Sequence, residues 1–279
     1  SNPRIIEPED TVGYYIALSY RWSAVSEQFS STRDNISDLK RFLPLWLLPK
    51  TIQDAVVFCR ELGYRYLWVD CLCIIQDDGD DWKEAVNKMA SIFENSHLTI
   101  SALQSKDSNA GLFHYRKYQD LSSSICLRLR NGQLLTLRLN NGQAELRHDI
   151  SNSPMRNRGW IFQEKLLSPA NIHFGKHALH WECRTCTISE AFTNFEIPAE
   201  SILKNIMSEI QRPGCSLYPN GHFIVWYMLM MDYSSKLLTF ETDRLPAIRG
   251  LANRFRKMFS TTFVAGLWLE DLHRGLLWN

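Results

Sequence analysis

No apolar run in the 279 residues reaches the ~20 that a membrane-spanning helix requires, and no succession of basic, apolar and small residues opens the chain as a secretory leader does. The expectations are no membrane span and a cytoplasmic location. Charge of one sign is also lacking. The 31 basic residues face 30 acidic ones, a formal net charge of +1, so no large electropositive surface is implied and nucleic acid is not an expected partner. A disulfide framework is missing too: seven cysteines, an odd number, lie mostly inside apolar segments and read as reduced thiols. Cys183-x-x-Cys186 has metal-like spacing, but zinc takes about four ligands and no second pair follows at a usual distance. The expectation is ordinary packing or a hairpin turn, with no metal. What is present, 45% hydrophobic and 22% charged residues, is enough to bury a substantial core.

The stretch from Tyr64 to Asp77 is apolar, rich in aromatic and β-branched residues, and bounded by Gly63 and by Asp77-Asp78-Gly79-Asp80. It reads as a strand buried on both faces, at the centre of a parallel sheet. Thr51 to Leu62 has helical spacing at Ile52, Ala55, Val56, Cys59 and Leu62, with Thr51 and Asp54 placed to cap it and Gly63 to stop it. Asp81 is placed to cap a second helix with Trp82, Ala85, Val86, Met89, Ile92 and Phe93 on one face. Strands are expected at residues 14–20 and 97–103, completing an α/β unit. In such sheets ligands gather at the carboxyl ends of the strands, where Asp70 and the loop Tyr20-Arg21-Trp22-Ser23 emerge. That loop can stack a base or ribose and pair a phosphate; equally, it can hold a tryptophan packed beneath a solvated arginine.

Residues 125–130, 134–139 and 144–147 alternate apolar with polar and are divided by Asn-Gly turns, a β-meander inserted around 115–150. Arg128, Arg130 and Arg138 share a face, either solvated or a basic strip. Met155 to Leu167 is helical and places Trp160 and Glu164 one turn apart. This pair is either a catalytic wall or a half-buried tryptophan beside a glutamate in a surface ion pair with Arg156 or Lys165. Two strands follow, at 171–174 and 178–183. From Glu196 the pattern is helical, with faces at Trp226, Leu229, Met230, Tyr233 and Leu237 and at Leu245, Ile248, Leu251, Ala252 and Phe255. The apolar runs 264–268 and 276–278 are expected to be buried.

Tyr15-Ile-Ala-Leu-Ser-Tyr-Arg-Trp22, Leu48-Pro-Lys-Thr-Ile-Gln-Asp-Ala55, Tyr66-Leu-Trp-Val-Asp-Cys-Leu-Cys-Ile-Ile-Gln-Asp77, Gly111-Leu-Phe113 and Arg158-Gly-Trp-Ile-Phe-Gln-Glu-Lys-Leu-Leu-Ser-Pro169 resemble the fungal heterokaryon incompatibility (HET) domain. Trp181-Glu-Cys183, Asp243-Arg-Leu-Pro-Ala247, Ala265-Gly-Leu-Trp268 and Leu277-Trp278 resemble the region that follows it in many such proteins. Arg21-Trp22-Ser23 departs from the Cys-Trp-Gly usual in the family. The resemblance implies a HET domain over 1–195, a helical extension over 196–279 on the same core, and a role in non-self recognition and programmed cell death.

It further implies kinship with Toll/interleukin receptor (TIR) domains: an α/β, flavodoxin-like, mostly parallel sheet with flanking helices, a β insertion and a C-terminal helical layer. Asp70, Gly79, Ser101, Trp160 and Glu164 stand at positions of the TIR pattern. Several TIR domains hydrolyse NAD at the nicotinamide–ribose bond through a helical glutamate. The implied catalytic residue is Glu164, with Tyr20, Arg21, Trp22, Ser23, Asp70 and Trp160 about the substrate. NAD or a related nucleotide is then substrate rather than cofactor. The alternative is a non-catalytic death-signalling module that acts by self-association or through other death-pathway proteins.

Overall fold

A computed structural model describes residues 2–7, 12–22, 29–116, 122–128, 134–140, 146–190, 192–196 and 221–277. After β1 (Tyr15–Ser19) come α1 (Ile36–Arg41), α2 (Lys50–Glu61), β2 (Tyr66–Trp68), α3 (Asp70–Cys73), α4 (Gly79–Asn95) and β3 (Leu98–Ser101). A hairpin of β4 (Ser122–Arg128) and β5 (Leu134–Asn140) stands as a separate two-stranded sheet. Then follow α5 (Leu146–Ser151), α6 (Gly159–Leu167), β6 (Ala170–Phe174), β7 (Leu179–Cys183), β8 (Thr187–Ser189) and β9 (Phe192–Glu196). The chain continues with α7 (Gly221–Ser234), α8 (Pro246–Phe259), the two-residue strands β10 (Phe263–Val264) and β11 (Leu267–Trp268), and α9 (Leu272–Gly275).

The seven-stranded sheet has the order β2-β1-β3-β6-β7-β8-β9. Its first four strands are parallel and the rest antiparallel. The inner strands of the parallel part are therefore β1 and β3, in which Ile16 to Ser19 and Leu98 to Ser101 are all buried. This corrects the expectation for residues 64–77. Only Tyr66–Trp68 pair, with β1 alone, as a half-buried edge strand, and the chain then turns into α3. Cys71, Leu72 and Ile74 are as apolar as strand residues, but they enter the cores on either side of the sheet through a helical turn. A short apolar run is compatible with either geometry.

Alternation along β1 assigns the layers. Ile16 and Leu18 pack with Ile52 and Ala55 of α2, whereas Ala17 packs with Met89 and Phe93 of α4. Beyond α4 and α6 lies a second helical layer, where Trp226 and Leu229 of α7 meet Leu251 and Phe255 of α8 and Trp268. The C-terminal segments are helical, as expected from their periodicity, and pack on α4 and α6 rather than directly on the sheet.

Several caps differ from expectation. Gly63 does stop α2, with φ at 78° and Tyr64 N–H donating to Cys59 C=O at 2.9 Å. Thr51 and Asp54 do not cap that helix. Their side chains turn away to hold the loop at 111–113: Thr51 Oγ1 accepts from Gly111 N–H at 3.1 Å, and Asp54 Oδ2 accepts from Leu112 N–H at 2.8 Å. The cap of α4 is Asp78, which accepts from the amides of Asp80 and Asp81, not Asp81 itself. The expected third meander strand at 144–147 enters α5 instead, its first two residues and the Asn-Gly turns lying outside the described residues. So do the side chains of Arg128, Arg130 and Arg138. Trp268 is buried, but Val264, Leu276 and Leu277 are exposed, against expectation, and Trp278 lies outside the described residues. Cys183 and Cys186 do form a hairpin turn: Cys183 N–H donates to Cys186 C=O at 2.9 Å, and the free sulfurs stand 3.7 Å apart.

Candidate functional site

In the sheet order β2-β1-β3-β6 the connection leaving β1 leads outward to β2, whereas the one leaving β3 leads the other way to β6, so the two diverge between β1 and β3. In α/β sheets the crevice at such a divergence, outside the carboxyl ends of the strands, is where ligands bind. Ser19 ends β1 and Tyr20 follows it, while Asp70 follows β2 at the first residue of α3. Helix α6 packs against β1 and brings Glu164 to the same place. It is held there at its start and at its middle. Arg158, the residue preceding it, donates from Nη1 to Tyr20 C=O at 2.9 Å, and Gln163 Oε1 accepts from Leu251 N–H of α8 at 3.2 Å.

Asp70 is anchored on both oxygens: Trp22 Nε1–H donates to Oδ2 and Cys71 N–H to Oδ1, each at 2.7 Å. Burial nevertheless raises its pKa, outweighing these donors, Arg158 and the Tyr20 hydroxyl. Glu164 is shifted in the same direction. Burial first, and the charge of Asp70 after it, push its carboxyl up to about 7. The Ser19 hydroxyl beside it, which has no well-formed hydrogen bond of its own, and the Arg158 guanidinium pull the other way. The Tyr20 phenol is held well above its usual range by burial, then by Asp70 and Cys71. One guanidinium thus acts on two carboxyl groups, the buried Glu164 and the half-buried Asp70. Such a cluster is costly to the fold, and perturbed carboxyls of this kind concentrate where chemistry is done.

Of the residues expected at the site, Glu164, Asp70, Tyr20 and Trp22 are brought together. Arg21 is exposed, and Ser23 lies outside the described residues. Trp160 shares α6 with Glu164, but its indole N–H donates to Asp243 at 3.3 Å and its ring packs beside the cluster of Ala17, Ile74, Met89 and Phe93. The surface ion pair of Glu164 with Arg156 is not formed. Glu164 is buried, and Arg156 donates to Ser151 C=O on the surface. Sequence reasoning missed Ser19 and Arg158. A helical template pairs residues three or four apart, whereas Arg158 reaches the carboxylates from an extended residue outside the helix.

Among the described residues, the group of three or more ligand atoms close enough to share a metal ion is that of His148 and Asp149 of α5 with His177 of the turn between β6 and β7.

Over 93 residues the chain is 32% identical to "Heterokaryon incompatibility protein 6, OR allele" of Neurospora crassa, an alignment covering 31% of this chain and 14% of that protein. No solved structure matches. Residues 15–164, more than half of the chain, match the family described as Heterokaryon incompatibility protein (HET), a stretch that begins in β1, takes in Ser19, Tyr20, Asp70 and Arg158, and ends on Glu164. The chain belongs to the HET family.

Proposed function

We propose that this chain is an effector of fungal heterokaryon incompatibility that kills by hydrolysing NAD at the nicotinamide–ribose bond, with Glu164 as the catalytic carboxylate. The observation that supports the reading most is the raised pKa of Glu164, buried beside Asp70, Ser19 and Arg158 at the diverging end of β1. The chemistry is that of TIR enzymes, the kinship implied by the sequence resemblance. As the C–N bond to nicotinamide breaks, the ribose acquires oxocarbenium-like charge and neutral nicotinamide leaves; water adds to the anomeric carbon and loses a proton. A fixed anion beside the sugar lowers that barrier. Glu164 gives up its proton near neutrality in the empty site, and the positive nicotinamide ring favours its ionised form once substrate is bound. Asp70, held by Trp22 and Cys71, positions the two loops rather than reacting.

Glu164 is only 9% exposed. Turnover on this reading requires the segment after β1 to part from α6, so the monomer is a resting state and clustering activates it. The decisive assay follows nicotinamide release by the chain alone and in forced oligomers. Glu164→Gln should lower release by about a hundredfold or more with the fold intact, and Arg21→Ala should mainly raise KM. Release at the wild-type rate by Glu164→Gln, or cell killing at equal expression, would overturn the carboxylate role.

One observation favours the second reading, a non-catalytic module acting by self-association. Ile224, Met228 and Met231, spaced along one face of α7, are all exposed. Under that reading Met228→Glu abolishes killing although wild-type oligomers release no nicotinamide.

A further inference from the structure

A second polar cluster lies on the same carboxyl edge of the sheet, at β6, two strands from β1 and therefore about 10 Å along the sheet. Asp149 of α5 sits under the turn joining β6 to β7. Its Oδ1 is 2.7 Å from His177 Nδ1, and its Oδ2 is 2.9 Å from His180 Nε2. The amides of His177 and Ala178 donate to Oδ2 at 3.2 and 3.4 Å. Gly175 leaves no room for a side chain here, since a Cβ would lie 2.0 Å from Oδ2. A turn-anchoring role accounts for these contacts but not for His148. Its ring meets His177 edge-on at 5.3 Å between centroids, and its Nδ1 is buried with no hydrogen-bond partner.

We propose that His148, Asp149 and His177 form a binding site for a divalent transition-metal ion of the zinc class. One ligand atom from each lies within 4.8 Å of the others. Ligands about 2.1 Å from a tetrahedral ion stand roughly 3.4 Å apart, between the 2.7 Å that separates Asp149 Oδ1 from His177 Nδ1 and the 4.8 Å limit. Small rotations therefore close the set. Two imidazoles and one carboxylate suit zinc and its neighbours rather than calcium or magnesium. On binding, Asp149 Oδ1 and His177 Nδ1 give up their mutual hydrogen bond for the shared ion. Oδ2 stays held by His180 and the two amides, the outer support that orients a ligating carboxylate. Three protein ligands leave a fourth position for water or another small ligand.

The test is metal binding by the metal-stripped chain, read as cobalt(II) visible absorption on titration and as zinc content after dialysis. The expected result is one ion per chain. His148→Ala should weaken binding at least tenfold with unchanged circular dichroism, because the turn's own hydrogen bonds do not involve that ring. His177→Ala should do the same, and Cys183→Ser with Cys186→Ser should leave binding unchanged. Failure to take up zinc or cobalt at micromolar concentrations, retention by both histidine variants, or loss in the cysteine variant would each overturn the proposal.

Discussion

Two buried carboxylates, Glu164 and Asp149, lie on one edge of one sheet and are shifted in opposite directions. Burial penalises the charge of both. At Asp149 the hydrogen bonds from His180, His177 and the turn amides outweigh it, and the net pKa falls below the usual carboxylate range. At Glu164 the Ser19 hydroxyl and Arg158 compensate too little, while Asp70 adds repulsion, and the carboxyl rises to about 7. The first is built to stay charged and organise the turn above it. The second is held near the point where a small change in surroundings decides its charge. Burial alone therefore does not set a carboxylate's role; the donors around it do.

The largest expected effect is on activity. Within forced oligomers Glu164→Gln loses about a hundredfold or more of nicotinamide release, whereas Asp149→Asn should lose far less if the two carboxylates differ as described. Comparable losses would erase the distinction between them.

On stability the order reverses. Asp149→Ala leaves the buried His180 and two turn amides without their acceptor and should cost about 2 kcal/mol in urea unfolding at neutral pH. The stabilisation from Asp149 is present above the ordinary carboxylate pKa of 3.8 and is lost as pH falls through its lower folded value. A cost under about 0.5 kcal/mol would mean that the turn does not depend on it.

Glu164 has the opposite sign. Its folded pKa is raised from 4.5 to about 7, so the folded state holds a proton that the unfolded state has lost, and stability declines as pH climbs through that window. Glu164→Gln removes this decline. The variant should be more stable than wild type by about 1–2 kcal/mol at pH 8, with no comparable gain at pH 4. A pH-independent difference would argue against a strained carboxyl.

The smallest effect concerns the support of Asp70. Trp22→Phe keeps an aromatic ring, smaller than indole, and deletes the N–H that bonds Oδ2, and should cost about 1 kcal/mol. No loss would imply that the loop after β1 is held by other contacts.

The sequence by itself determined the type of the strongly periodic elements. Helical spacing in residues 51–62 and 82–93, the apolar runs at 15–19 and 98–101, and the helical faces around Trp226 and Leu251 all appear where periodicity placed them, because burial of one face is a local constraint written into the residue order. It also named Glu164, Asp70, Tyr20 and Trp22, through a resemblance whose motifs span both ends of the site. Tertiary structure alone decided which strand is central: the apolar run after Tyr66 satisfies a strand or a buried helical turn equally well, and only pairing with neighbours tells them apart. Likewise it made Thr51 and Asp54 anchors of a distant loop, brought Arg158 to the end of β1, and joined His148 and Asp149 to His177 across the turn of another hairpin. Those pairings depend on residues far apart in the chain, and a local pattern carries no record of which distant group will arrive to satisfy a buried charge.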